Sequence, residues 1–295
     1  MGLILWMIFP SVTRGDAPQP EIRVRIKKSL SQIDLKGMDL NVSDGSVGFV
    51  FRHLSRLRVQ CSRSGITVAS GAKKILARDF LKIDSPSGFI SLGAVPVRDR
   101  LHIVKNTRGL CDLMNVMKME DYLIGVVNSE FNSKWSMEAV KAQVIASRTY
   151  AFYRLGLSKK RHFDVEGNVL DQVYDGFLTE DTLAARRVRE TRGQVLVSST
   201  RSAPIQAFYH STCGGWSESS RHVWGTDRAP GFQSLRKPCG YCNHSPRISW
   251  ELTLTRENLQ RRLGVEVAQL NLVVDRSSKR VNEITAIAVS YTHLR

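Results

Sequence analysis

The sequence predicts an α+β protein in which a β-rich lobe packs with a helical segment. Three observations carry that expectation. Between Glu21 and Met117, short apolar stretches alternate at period two and are punctuated by Gly, Ser and Asp, the pattern of strands and turns. At Lys118 the texture changes, and from "MEDYLIGVVNSEF" to "MEAVKAQVIASRTYAFYRL" the apolar residues recur at helical spacing. With 295 residues, 42% hydrophobic and 24% charged, the chain has the composition of an ordinary globular protein with a sizeable core.

Taken in order, residues 1–17 read as a shortened secretory signal. Gly2 to Phe9 is apolar and Gly15-Asp16-Ala17 forms a small-x-small triplet, although a basic leading region is missing. An exported protein is therefore expected. Residues 18–118 form an N-terminal β-rich region with "EIRVRI", "VGFVF", "GITVAS", "GFISLGAVPV" and "RLHIVKN" as its strand-like segments. Residues 119–295 form the second region, which opens with a helix whose acids Glu120 and Asp121 suit the positive end of the helix dipole.

A second helix is predicted from Ser136, a natural N-cap, to Gly156, a natural stop. A third runs from Thr179 to Arg192 and ends at Gly193. "QVLVSS" and "PIQAFYHS" predict a hairpin, "SWELTLTRENLQRRLG" a strand and a helix, and "VAQLNLVVDRSSKRVNEITAIAVS" two strands around a turn. The closing "SYTHLR" resembles translated sequencing adapter, so the second region is expected to be incomplete at its C-terminal end.

Lys and Arg number 43 against 27 Asp and Glu, and the net charge of +16 implies an anionic partner. No helix-turn-helix, RNA-binding or zinc-finger pattern organises these cations, so nucleic acid is not expected and an anionic wall or membrane surface takes its place. No P-loop or dinucleotide fingerprint surrounds Gly214-Gly215, and no organic cofactor is expected.

Glu130 stands out because Val126 and Val127 precede it and Phe131 follows. Such an acid either forms a buried pair or serves proton transfer. An apolar wall of Val126, Val127, Phe131 and Trp135 would favour the protonated acid that a proton donor needs. Lys141 and Arg148 lie seven residues apart on one helix face, about 10 Å along the axis, and must point into a polar cleft or meet acids.

Among five cysteines, Cys239 and Cys242 in "PCGYCNH" have knuckle spacing. Cys213, with His210 or His244, would complete a structural zinc site, and a disulfide or free thiols are the competing arrangements. Cys61 and Cys111 read as small buried residues.

The stretch "EDYLIGVVNSEFNSKWSMEAVKAQVIASRTYA", residues 120 to 151, closely resembles the SpoIID/LytB family, which includes peptidoglycan lytic transglycosylases and amidase enhancers. "QVYDG" (172–176), "ETRGQVLV" (190–197), "PIQAFYHSTCGG" (204–215) and "VWG" (223–225) follow in the family's order, and Phe131 replaces the usual Met. The resemblance implies a SpoIID-like fold with Glu130 as the catalytic residue. It also implies that Lys141 and Arg148 line a glycan groove or screen Glu130, with Tyr209, His210 and Ser211 beside it. The implied reaction cleaves MurNAc-GlcNAc bonds in peptidoglycan glycan strands and leaves 1,6-anhydro-MurNAc ends. The alternative is a non-catalytic enhancer whose partner is an amidase of the cell wall.

Overall fold

The computed structural model describes residues 19–45, 50–198, 202–218, 220–224, 238–276 and 279–289. The expected leader, residues 1–17, and the closing "SYTHLR" lie outside them. The chain divides into two compact units, with the boundary between Phe208 and Tyr209. The change of texture at Lys118 coincides with a strand-to-helix junction inside the first unit.

That unit is built on a nine-stranded sheet. Its strands are β1 (Glu21–Leu30), β2 (Gln32–Ser43), β3 (Phe51–Ser62), β4 (Gly65–Ser70), β5 (Lys73–Ala77), β6 (Phe80–Leu92), β7 (Val95–Lys105), β8 (Cys111–Lys118) and β9 (Val165–Glu166). Their order is β5-β4-β3-β2-β6-β7-β8-β1-β9. Neighbours pair antiparallel, except that β9 joins β1 in parallel.

Two short links force the sheet to curl. β1 runs into β2 through Ser31 alone, yet the two strands stand four places apart. In a flat sheet, at about 4.8 Å per strand, that is roughly 19 Å, beyond the reach of one residue. Cys61 on β3 and Cys111 on β8 are also four places apart, and they form a disulfide with Cα atoms 5.9 Å from each other. Reading these two as unpaired small residues is thus corrected: the curl brings them into bridging range. Period-two alternation then fills the concave side, with Ile33, Leu35, Leu57, Val59, Leu101 and Ile103 all at most 3% exposed.

The second core of this unit is helical. α1 (Met119–Glu130) follows β8 without a loop, and α2 (Met137–Leu157) and α3 (Thr182–Glu190) pack on it. Tyr122, Val126, Val140, Val144, Ala184 and Val188 are buried together with Ile22 and Val24 from β1. β9 is held to β1 by Arg23 on Asp164 at 2.7 Å and by Arg25 on Glu166.

Several boundaries differ from expectation. "GFISLGAVPV" is the end of β6 and the start of β7, turned at Gly93 with φ +62°. Gly156 does not stop α2, which continues to Leu157 because the next residue can still be helical. Thr179 closes a short 3-10 turn, Gly176–Thr179, and α3 starts instead behind Asp181, whose carboxylate accepts from Ala184 N–H. Among the described residues the predicted hairpin shows a bridge from Val197 to Pro204, flanked by Ser198 N–H on the Ala203 carbonyl at 2.9 Å and Ile205 N–H on the Leu196 carbonyl at 3.2 Å.

In the second unit, α4 (Ser220–Trp224) and α5 (Arg256–Leu263) are short, and β10 (Val267–Val274) pairs antiparallel with β11 (Val281–Ala288). Thr255 caps α5 and Gly264, at φ +72°, ends it. The strand expected at "WELTL" is not formed. Among the described residues no helix is long and apolar enough to cross a membrane.

The disulfide closes 50 residues of chain, so loop-closure entropy assigns it about 4 kcal/mol at most. Chemical denaturation of the Cys61→Ala/Cys111→Ala variant is expected to show a loss of about 2–4 kcal/mol. An unchanged midpoint would contradict the bridge.

Candidate active site

Glu130 is the last residue of α1 and is half-buried. What fixes it is the backbone of the "QVYDG" segment, because Val173 N–H donates to Glu130 Oε1 at 2.5 Å. A carboxylate held by a main-chain donor keeps one orientation, provided that the donor cannot move.

The segment is clamped on both sides of Val173. Gln172 is fully buried; it accepts from Tyr122 Oη at 3.1 Å and donates to the Ser147 carbonyl at 3.3 Å, joining α1 to α2. Asp171 accepts from Tyr150 Oη at 2.5 Å and from Arg154 at 3.2 Å, both on α2. Tyr174 donates to Asn115 Oδ1 on β8 at 3.1 Å, and its ring closely approaches Gly125. A Cβ at position 125 would sit 2.6 Å from that ring, which is why the "LIGVV" run needs a glycine in mid-helix despite its helix-weakening effect.

The loop after Glu130 is fixed by a second network. Asn128 donates to the Thr179 carbonyl and to Asp181 Oδ2, both at 2.9 Å, and accepts from Ser133 N–H at 2.9 Å. Ser133 Oγ also donates to Asp181 at 2.6 Å. Burial would raise the Asp181 carboxyl, but donation from Ala184 N–H, Ser133 and Asn128 outweighs it and holds the acid below the usual carboxylate range. Asp181 thus caps α3 and ties down residues 128–133 as a charged acceptor.

The expected apolar wall is divided. Val126 and Val127 turn into the helical core, at 1% and 3% exposure. Phe131 and Trp135 instead stack edge to face, 4.5 Å between centroids, with Trp135 59% exposed.

The two cations meet acids, not Glu130. Arg148 is fully buried: its Nε and Nη2 take Glu120 in a two-pronged pair at 3.0 and 2.8 Å. Its remaining donors go to the Val188 carbonyl, Thr191 Oγ1 and the Gln194 carbonyl. A glycan-lining or Glu130-screening position for Arg148 is therefore corrected, because all five guanidinium donors are already used inside the protein. Lys141 pairs with Glu138 at 3.1 Å and Glu190 at 3.5 Å, and lines a cavity of about 460 Å³ with Ala142, Ile145, Gln194 and Leu196. Glu190 is lowered to about 2, chiefly by hydrogen bonds from Arg187 and Arg186. That cavity is not lined by Glu130.

The acids of the surrounding segments are mostly committed. Glu180 pairs with Arg98 at 2.5 Å and is itself raised by burial, and Asp171 and Asp181 are bound as above. Asp175 is exposed, with its own N–H donating to Ser129 Oγ at 3.3 Å.

In the second unit, Cys213, Cys239 and Cys242 converge, with all three sulfurs within 4.8 Å of one another. Cys213 and Cys242 Sγ are 3.4 Å apart, and Cys213 N–H points at Cys242 Sγ at 3.4 Å. A hydrogen bond from the Cys239 thiol lowers the Cys213 thiol. Arg280 braces the turn by donating to the Cys213 and Trp216 carbonyls, each at 2.6 Å. The set could hold a metal ion; neither His210 nor His244, both exposed, belongs to it. Tyr209 and Ser211 head this unit, Tyr209 partly buried and Ser211 exposed.

Sequence reasoning missed the Val173 N–H, Gln172 and the Asn128–Ser133–Asp181 network. "QVYDG" was visible as a landmark, but a backbone donor leaves no side-chain signature.

Comparison with known proteins places these features together. Residues 107–197, which hold Glu130 and most of its frame, match the SpoIID family, stage II sporulation protein. An uncharacterized protein of Brachyspira hyodysenteriae is 33% identical over 136 residues, 46% of this chain and 34% of its own length. The amidase enhancer of Bacillus subtilis is 33% identical over 137 residues, 46% of this chain and 17% of its own length. Stage II sporulation protein D of Bacillus subtilis is 30% identical over 165 residues, 50% of this chain and 46% of its own length. The chain thus spans less than half the length of these three relatives. The segment that frames Glu130 is thus similar to the SpoIID family and to relatives named stage II sporulation protein D and amidase enhancer.

Proposed function

We propose that this protein acts on the cell wall as a lytic transglycosylase, with Glu130 as the single acid and base. The observation that carries the reading is the Val173 N–H on Glu130 Oε1, which holds the carboxylate in one orientation. The family and its relatives' names support the cell-wall role.

The chemistry follows from having one such acid. Protonated Glu130 gives its proton to the oxygen bridging MurNAc C1 to GlcNAc, and that C1–O bond breaks. The 6-hydroxyl of the same MurNAc attacks C1, the new C1–O6 bond closes the anhydro ring, and the hydroxyl proton returns to Glu130. No water is consumed. A hydrolase would need a second carboxylate for water or for a covalent intermediate. Asp171, Glu180 and Asp181 are engaged in ion pairs or capping, which supports transglycosylation. Trp135, stacked on Phe131, offers a face for a sugar ring, and Tyr209, His210 and Ser211 are further candidates for sugar contact.

The cysteine cluster fits a structural zinc ion. Thiolates at about 2.3 Å from tetrahedral zinc stand about 3.8 Å from each other, near the spacing seen here, whereas a disulfide needs about 2 Å. Cys213, Cys239 and Cys242 would hold the ion, and it would fold the loop without taking part in the reaction. Export to the envelope is supported by the Cys61–Cys111 disulfide, since such bridges persist in oxidising compartments.

The second reading is an amidase enhancer without its own cleavage, favoured by the Bacillus relative of that name. Digestion of denuded glycan separates the two. Wild type is expected to release anhydromuramoyl ends, and Glu130→Gln to release them at least about 100-fold more slowly with an unchanged melting point. Reducing ends in place of anhydro ends would instead assign hydrolysis with Asp175 as second carboxylate, and no release would favour the enhancer.

Metal analysis of untagged protein is expected to find one zinc per chain, lost in the Cys239→Ser/Cys242→Ser variant. Zinc-free protein with fewer than three titratable thiols would overturn that assignment.

A further inference from the structure

The outer face of the curled sheet carries a charge arrangement that the folded state alone does not need. Lys36 on β2 and Arg56 on β3 are register partners, so their side chains stand directly opposite on the same, exposed face. Like charges in that position destabilise an antiparallel pair. The next rung runs Asp34–Arg58–Ala69–Lys74 across four strands and places Lys74 on the same face. Asp34 neutralises Arg58 at 2.7 Å. Among the described residues, Lys36, Arg56 and Lys74 have no carboxylate partner.

Lys36 and Arg56 border a groove of about 720 Å³, lined by Asp34, His53, Arg58, Ala69 and Ser70 among others, and Lys74 stands next to it as the register partner of Ala69. No Phe, Tyr or Trp lines it. A site that read bases, or the face of a neutral sugar, would offer aromatic rings for stacking. This one offers repeated positive charge on a rigid sheet.

We propose that the β2–β5 face binds an anionic cell-wall polymer through Lys36, Arg56 and Lys74, holding the wall while the site around Glu130 works on glycan. The inference rests on the cell-wall reading. The ligand groups are the stem-peptide carboxylates repeated along the same glycan strand on which the site around Glu130 acts. They relieve the repulsion between Lys36 and Arg56, so the face gains in binding what it loses in isolation.

The test is co-sedimentation of the full chain with purified wall sacculi across a salt series. Wild type is compared with a Lys36→Gln/Arg56→Gln/Lys74→Gln variant and with Glu130→Gln. The triple variant is expected to bind about 10-fold more weakly, to release at lower salt, and to melt no lower than wild type. Glu130→Gln is expected to bind as wild type does. Retention is expected to be lost after amidation of stem-peptide carboxyls, and loss only on sacculi stripped of phosphate polymers would overturn the assignment. Equal binding by the triple variant, retention that survives both treatments, or tighter binding to duplex DNA than to sacculi would overturn the proposal. Charge-dependent retention without any glycan cleavage would support the groove and overturn only the catalytic reading.

Discussion

One guanidinium holds the helical half together. Arg148, fully buried, binds Glu120 on α1, the Val188 carbonyl on α3, Thr191 just beyond α3 and the Gln194 carbonyl, and so joins to α2 each segment that surrounds it. Removing one member of such a pair leaves an uncompensated charge, at a cost of about 3–5 kcal/mol in buried settings. Because Glu120 opens α1 and Glu130 ends it, the pair that anchors one end of that helix sets the line along which the other end points.

The far end of α1 is fixed separately, and by smaller forces. Gly125 lets Tyr174 approach, Gln172 spans α1 and α2, and Val173 is left with its N–H facing Glu130. Each contact is an ordinary hydrogen bond or van der Waals contact, worth about 1 kcal/mol net. Together they remove the freedom a glutamate at a helix terminus would otherwise have, which is the preorganisation the proposed one-acid mechanism depends on.

Much of this was legible in the sequence. Alternation in "EIRVRI", acids at the head of α1 and the N-cap at Ser136 are local signals, and the strands and helices appear where those signals fall. Lys141 and Arg148 were legible as cations that must meet acids. Which acids was not, since Glu120 lies 28 residues from Arg148 and Glu190 comes from another helix. The curl was hidden for the same reason: it follows from long-range strand order, and with it the Cys61–Cys111 bridge across 50 residues. Cys213, Cys239 and Cys242 were legible as a group because their spacing is a local pattern.

With every guanidinium donor spent inside the protein, Arg148 acts as a positioning residue for α1. Arg148→Lys keeps the charge but loses the two-pronged grip on Glu120 and most of the other donors. Measuring melting temperature, kcat and KM on denuded glycan for this variant tests that role most directly. A lower melting temperature and a lower kcat with KM unchanged are expected. A raised KM at an unchanged melting temperature would contradict that role, and would return Arg148 to the glycan groove.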